Sequence, residues 1–172
     1  MTNNRCIYYV EGSCEEKLVK ALKLEPAKLN PGKVKVFNVI QNIIPNSVLM
    51  TIHPNTYVVL AFDTDKTDTE ILKKNVENIR KYCKSVKIVY LPQVLNFEDE
   101  IKRCCNLKDA KYLTKSKSHK DFKSDFCKMK NQDCRNALER NNLDINRLWS
   151  ENVPSQYSFV ERNAQAIKID IN

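Results

Sequence analysis

The chain has 172 residues, 42% of them apolar, and its 29 Lys and Arg against 21 Asp and Glu leave a formal charge of +8. This length and apolar content suit one domain, residues 1–172, with a buried core, and no run approaches the roughly 18 continuous apolar residues of a membrane span. The polar start MTNNR lacks the hydrophobic centre of a secretory signal, so the expectation is a cytoplasmic protein with no membrane partner.

Ile7, Tyr8, Tyr9 and Val10 form the first apolar run, a short strand that stops at Glu11 and Gly12. SCEEKLVKALKL follows with Leu18, Ala21 and Leu22 at helical spacing; Ser13 is placed to cap this helix, with Glu16 three residues on. Pro26, Pro31 and Gly32 break the pattern, and KVKVFNVI alternates as a second strand. A short helix is expected near residues 45–52. TYVVLAF, continuously apolar and rich in branched and aromatic side chains, predicts a strand buried on both faces of a parallel sheet, and it too ends in carboxylates, Asp63 and Asp65. Ile71, Leu72, Val76, Ile79 and Tyr82 mark a helix over 68–84 capped by Asp68, and SVKIVYLP returns as a strand. Strand, helix, strand, helix, strand is the order of an α/β layered fold. From about residue 94 the pattern is mainly helical, in NFEDEIKRCC, SHKDFKSDFCKM, DCRNALERN and NRLWSENV, with Phe122, Phe126 and Met129 spaced as core rather than as base-stacking platforms.

Seven cysteines, an odd number in a chain without an export signal, predict reduced and largely buried thiols rather than disulfides. Neither Cys104 with Cys105 nor Cys127 with Cys134 has the two-residue gap with which paired thiolates grip zinc, and His53 and His119 are too isolated for a histidine site. The positive charge favours polyanionic partners such as nucleic acid. Residues 102–130 hold ten Lys or Arg against three Asp, an excess of seven, although such a stretch reads equally as a solvated lysine face.

The carboxylates at strand ends carry the chemistry. Parallel sheets gather ligands where the carboxyl ends of their strands open into a shared crevice, and Glu11, Asp63 and Asp65 sit at such ends. In an extended segment residues i and i+2 face one side, so Asp63 and Asp65 can share a pocket, and Glu15 can point back toward it. Four oxygen donors converging there would repel one another unless a divalent cation, Mg²⁺ above all, neutralised them. Each acid taken alone is better explained by helix capping, but Ser13 and Asp68 are better placed for that role, and the combination favours a site.

IYYVEGSCEE followed some fifty residues later by VVLAFDTD resembles the Toprim domain, the metal-binding α/β module of topoisomerases, primases and several nucleases, over roughly residues 5–100. The resemblance implies a mostly parallel sheet flanked by helices, with a mainly helical C-terminal extension over about 101–172. It implies an acidic metal site of Glu11, Asp63 and Asp65, and Glu15 matches the additional acid of the compact nuclease branch, the overcoming-lysogenization-defect type nucleases and their RloB-like relatives. A further acidic motif of that branch falls at LPQVLNFEDEI, with Glu98 the first choice over Asp99 and Glu100; these acids read equally as the negative first turn of a helix.

The activity so implied is a Mg²⁺- or Mn²⁺-dependent nuclease hydrolysing phosphodiester bonds of DNA or RNA, with an antiviral defence role by analogy. Glu11 and a lysine would be catalytic. Among the lysines of TKSKSHKDFK, Lys117 is the choice for the catalytic cation, and Lys115, Lys120 and Lys123 would meet backbone phosphates. A partner ATPase of a defence system and a homo-oligomer are compatible with the resemblance. Two other readings stand beside it: a non-catalytic, regulatory module that binds nucleic acid on the same fold, and a Mg²⁺-dependent receiver-like or nucleotide-binding domain, for which two glycines leave little material to build a phosphate loop.

Overall fold

The computed structural model describes residues 5–169. Four strands, β1 (Cys6–Val10), β2 (Gly32–Val36), β3 (Tyr57–Asp63) and β4 (Lys87–Gln93), run parallel in the order β2-β1-β3-β4. Between them lie α1 (Ser13–Leu22), α2 (Asn46–Leu49) and α3 (Glu70–Tyr82), as parallel pairing demands, because the chain must cross back over the sheet each time. After β4 come α4 (Phe97–Cys104), α5 (Lys111–Thr114), α6 (His119–Lys128) and α7 (Asn131–Arg140), then two short 3-10 turns at Ser155–Tyr157 and Ala164–Ile167. The fold is α/β: an all-parallel sheet flanked by helices, with a mainly helical segment following it.

The continuous apolar runs of the strands are divided between two cores, because alternate side chains leave opposite faces of a strand. Tyr8, Val10, Val59, Ala61, Val89 and Leu91 enter one core, which α1, α4, α6 and α7 cover. Tyr9, Val58, Leu60, Phe62 and Tyr90 enter the other, under α3 and Tyr157. Gly32 begins β2 so close to β1 that a Cβ there would lie 2.1 Å from the Cys6 carbonyl oxygen, so one of the chain's two glycines is a packing requirement of this strand pair.

Several expected details differ. The N-cap of α1 is Gly12, and Ser13 is already helical, its hydroxyl 3.2 Å from Cys127 Sγ instead of on the helix amides. Asp68 accepts from the Glu70 amide at 2.9 Å, whereas Thr69 holds the N-cap position of α3. β2 ends at Val36, four residues short of the predicted strand, since Asn38 turns the chain by accepting from the amides of Ile40 and Gln41, both at 3.0 Å. The helix expected over 146–153 is absent: Trp149 has φ +57° and donates its amide to the buried Glu100 carboxylate, and Lys168 Nζ takes the carbonyls of Asn146 and Leu148. Those tertiary bonds occupy the backbone groups an α-helix would use.

Candidate functional site

The site is assembled from strand ends. β1 delivers Glu11, and the first turn of α1 folds Glu15 back over the same end of the sheet, burying it to 6% exposure. β3 delivers Asp63, opposite Gln93 of β4 in register. Glu11 is fixed on both oxygens: Asn38 Nδ2 donates to Oε1 at 2.9 Å, and the Asp63 backbone amide donates to Oε2 at 3.0 Å. Two acids 52 residues apart in sequence thus meet across the β1–β3 pair. Gln93, wholly buried, spans the other gap: in the amide orientation that satisfies both acceptors, its nitrogen donates to Asp63 Oδ1 at 2.7 Å and to Glu15 Oε1 at 3.2 Å.

This concentration of negative charge is incompletely offset. Burial first, then the charges of Glu11 and Glu15, push the Asp63 carboxyl up to about 8, with Lys123 opposing and Asp65 adding to the rise. Burial also raises Glu15, against the pull of its own amide and that of Gly12. On the rim, Tyr157 is pushed up to about 12 by burial and by Asp65, Glu11 and Asp63, while its hydroxyl donates to the Lys66 carbonyl at 3.1 Å.

The remaining candidates lie at graded distances from this centre. β3 ends at Asp63, so strand alternation does not carry Asp65 inward; its side chain is 50% exposed, 3.6 Å from Lys66, although its charge is felt at Asp63. Glu98 reaches the centre through a cation, with Oε1 3.2 Å from Lys123 Nζ, while Oε2 is buried without a hydrogen-bond partner. Packing explains this placement: Phe97, beside Glu98, stacks with Phe122, beside Lys123, at 6.2 Å between ring centroids, and meets Phe126 edge-on at 5.2 Å. Lys123 is the lysine whose charge reaches Asp63 and Glu15; burial opposes its ammonium, but Glu98 and then Asp63 hold it above the usual lysine range. Lys115, Lys117 and Lys120 are exposed in the turn leading to α6 and in its first turn.

Asn38 and Gln93 escaped the sequence reading. Both have a signal in retrospect, being amide side chains at the carboxyl ends of strands of a sheet whose other strands end in acids. Tyr157 has none, because the segment that carries it forms only a 3-10 turn.

An oxygen-only donor set of Glu11, Glu15 and Asp63 fits a hard divalent cation in its chemistry, and the raised Asp63 carboxyl marks charge that such an ion would neutralise. The side chains are not gathered into a finished shell, however: among the described residues, no three His, Cys, Asp or Glu stand close enough to hold an ion. Asn38 and the Asp63 amide occupy Glu11, Gln93 lies between Glu15 and Asp63, and Lys123 engages Glu98. Binding an ion would require these acids to exchange partners. No family model, curated protein or solved structure matches the chain. Among the described residues, no helix is long and apolar enough to cross a membrane.

Proposed function

We propose that the chain is a divalent-metal-dependent nuclease of Toprim type that hydrolyses phosphodiester bonds of DNA or RNA. The observation that carries this reading is the bond from the Asp63 amide to the Glu11 carboxylate, because it brings the acidic ends of β1 and β3 together at one end of the sheet. Glu11, Glu15 and Asp63 would hold Mg²⁺ or Mn²⁺, with Asp65 and Glu98 at the margin. The ion, when bound, supplies charge stabilisation and a more acidic water. Lys123, whose field already reaches Asp63 and Glu15, is positioned to stabilise negative charge developing on a phosphoryl oxygen, so this role moves from Lys117 to Lys123. Lys115, Lys117 and Lys120 form an exposed basic approach suited to backbone phosphates.

The test uses the purified chain with Mg²⁺ or Mn²⁺ and a panel of DNA and RNA substrates. Cleavage that requires the metal, is lost in Asp63→Ala and survives in Lys74→Ala supports the reading; no cleavage and no metal binding across the panel overturns it. One observation favours a second reading, a non-catalytic module that binds nucleic acid: the acids already have protein partners and form no three-residue ligand group. That reading predicts salt-dependent binding unchanged by Glu11→Ala and Asp65→Ala.

A further inference from the structure

Beside the acidic site, the seam between α1 and α6 brings two thiols together. Cys14 Sγ and Cys127 Sγ lie 2.9 Å apart although 113 residues separate them in sequence. Cys14, in the first turn of α1, is 6% exposed, whereas Cys127, near the end of α6, is half-buried and reachable from solvent. The Ser13 hydroxyl is 3.2 Å from Cys127 Sγ, so this sulfur sits against the amino end of α1. A disulfide needs an S–S separation of about 2.05 Å, which asks these atoms to approach by ~0.9 Å.

We propose that Cys14 and Cys127 form a reversible intramolecular disulfide when the protein meets hydrogen peroxide. In the first step the Cys127 sulfur attacks the peroxide: its S–O bond forms, the O–O bond breaks, water leaves and Cys127 becomes a sulfenic acid. In the second, the Cys14 sulfur attacks Cys127 Sγ: the S–S bond forms, the S–O bond breaks, and hydroxide departs with the Cys14 proton as a second water. Two thiols lose two electrons in all, the peroxide gains them, and two waters result. A dithiol reductant reverses the bond by exchange.

The consequence is mechanical. Cys14 adjoins Glu15, and Cys127 lies one helical turn beyond Lys123, so the bond clamps together the two helices that bring an acid and a lysine to the crevice. It also closes a long loop, which restricts the unfolded chain and raises the thermal midpoint of the oxidised form above that of the reduced one. The inference itself rests on the thiol geometry alone and is independent of nuclease activity.

To test it, the reduced protein is freed of reductant, exposed to hydrogen peroxide, blocked with N-ethylmaleimide and mapped by peptide mass spectrometry. The expected result is a Cys14–Cys127 linked peptide, two fewer maleimide adducts among the seven cysteines, reversal by dithiothreitol and a higher thermal midpoint; Cys127→Ser abolishes the linked peptide and the shift. The proposal is overturned if all seven thiols survive, if Cys127 is recovered as sulfinic acid without a linked peptide, if the link forms only between molecules, or if the neighbouring pair Cys104 and Cys105, 3.8 Å apart and buried, oxidises instead. Peptide mapping detects a covalent bond in the wild-type chain, so the outcome depends neither on how well a variant folds nor on whether the chain cleaves nucleic acid.

Discussion

Glu100 on α4 and Asp63 at the end of β3 are both drawn out of water, and their surroundings differ in kind. Glu100, fully buried, receives the Arg103 guanidinium on one oxygen and the Trp149 amide on the other. Burial pushes its carboxyl up, and those two partners pull it back. Asp63 feels the charges of Glu11, Glu15 and Asp65, with Lys123 opposing them. The first arrangement is a strut that joins α4 to the segment around Trp149. The second gathers groups of one sign with less opposing charge, the kind of environment in which a perturbed carboxyl is a candidate for a functional role.

The largest expected effect falls on the strut. Glu100→Ala leaves a mostly buried guanidinium and a buried amide without their acceptor, which costs about 3–5 kcal/mol and lowers the thermal midpoint by on the order of 10 °C. Removing Asp63 should do nothing comparable. A calorimetric scan in which Asp63→Asn destabilises as much as Glu100→Ala would erase the contrast between strut and site.

Next comes Lys123. On the nuclease reading Lys123→Ala removes the cation nearest the developing charge and lowers the cleavage rate by ~10²-fold or more, with substrate binding changed much less. Measuring kcat and KM separately sharpens the point, since a loss confined to KM would reduce Lys123 to one more phosphate contact.

Asp63 gives a third effect, read as a slope against pH in chelator-treated protein. Its folded carboxyl stands at about 8 against an ordinary 3.8, so the native state keeps a proton that the unfolded chain has already released. Stability from this group is therefore complete below about pH 4 and is lost as pH rises toward about 8. Asp63→Asn cannot ionise and flattens that decline by up to ~1.4 kcal/mol per pH unit. Urea midpoints taken across that range check it, and parallel curves for the two proteins would show that Asp63 titrates as an ordinary surface acid.

The contrast between strut and site was only half legible in the sequence. The alternation of strands and helices along the chain and the acids ending β1 and β3 follow from period and residue type, because a doubly buried parallel strand leaves a distinctive apolar run; the spatial order β2-β1-β3-β4 does not. Glu98 is the first choice of three successive acids, but the strut role of Glu100 was not legible, because the packing of Phe97 against α6 decides which acid faces Lys123 and which faces Trp149. The helix drawn over 146–153 failed for the same reason, since the bond from Trp149 to Glu100 and those from Lys168 are contacts between distant segments that no local pattern encodes. Lys117 and Lys123 likewise differ only in where α6 begins to pack.

That difference supplies the smallest prediction. Lys117 is exposed ahead of α6, whereas Lys123 is held 3.2 Å from Glu98 by the aromatic contacts beside it. A solvated lysine on a flexible stem contributes through counterion release and little else, so Lys117→Ala should weaken nucleic-acid binding uniformly across sequences. It should reduce the slope of log affinity against log salt by about 1 and leave the cleavage rate at saturating substrate within about twofold. Stability should move by no more than about 0.5 kcal/mol, as for other exposed side chains. If Lys117→Ala instead matched Lys123→Ala in kcat, substrate binding would have to draw the turn before α6 into the crevice, and the division between a fixed cation at the acids and a loose basic approach would disappear.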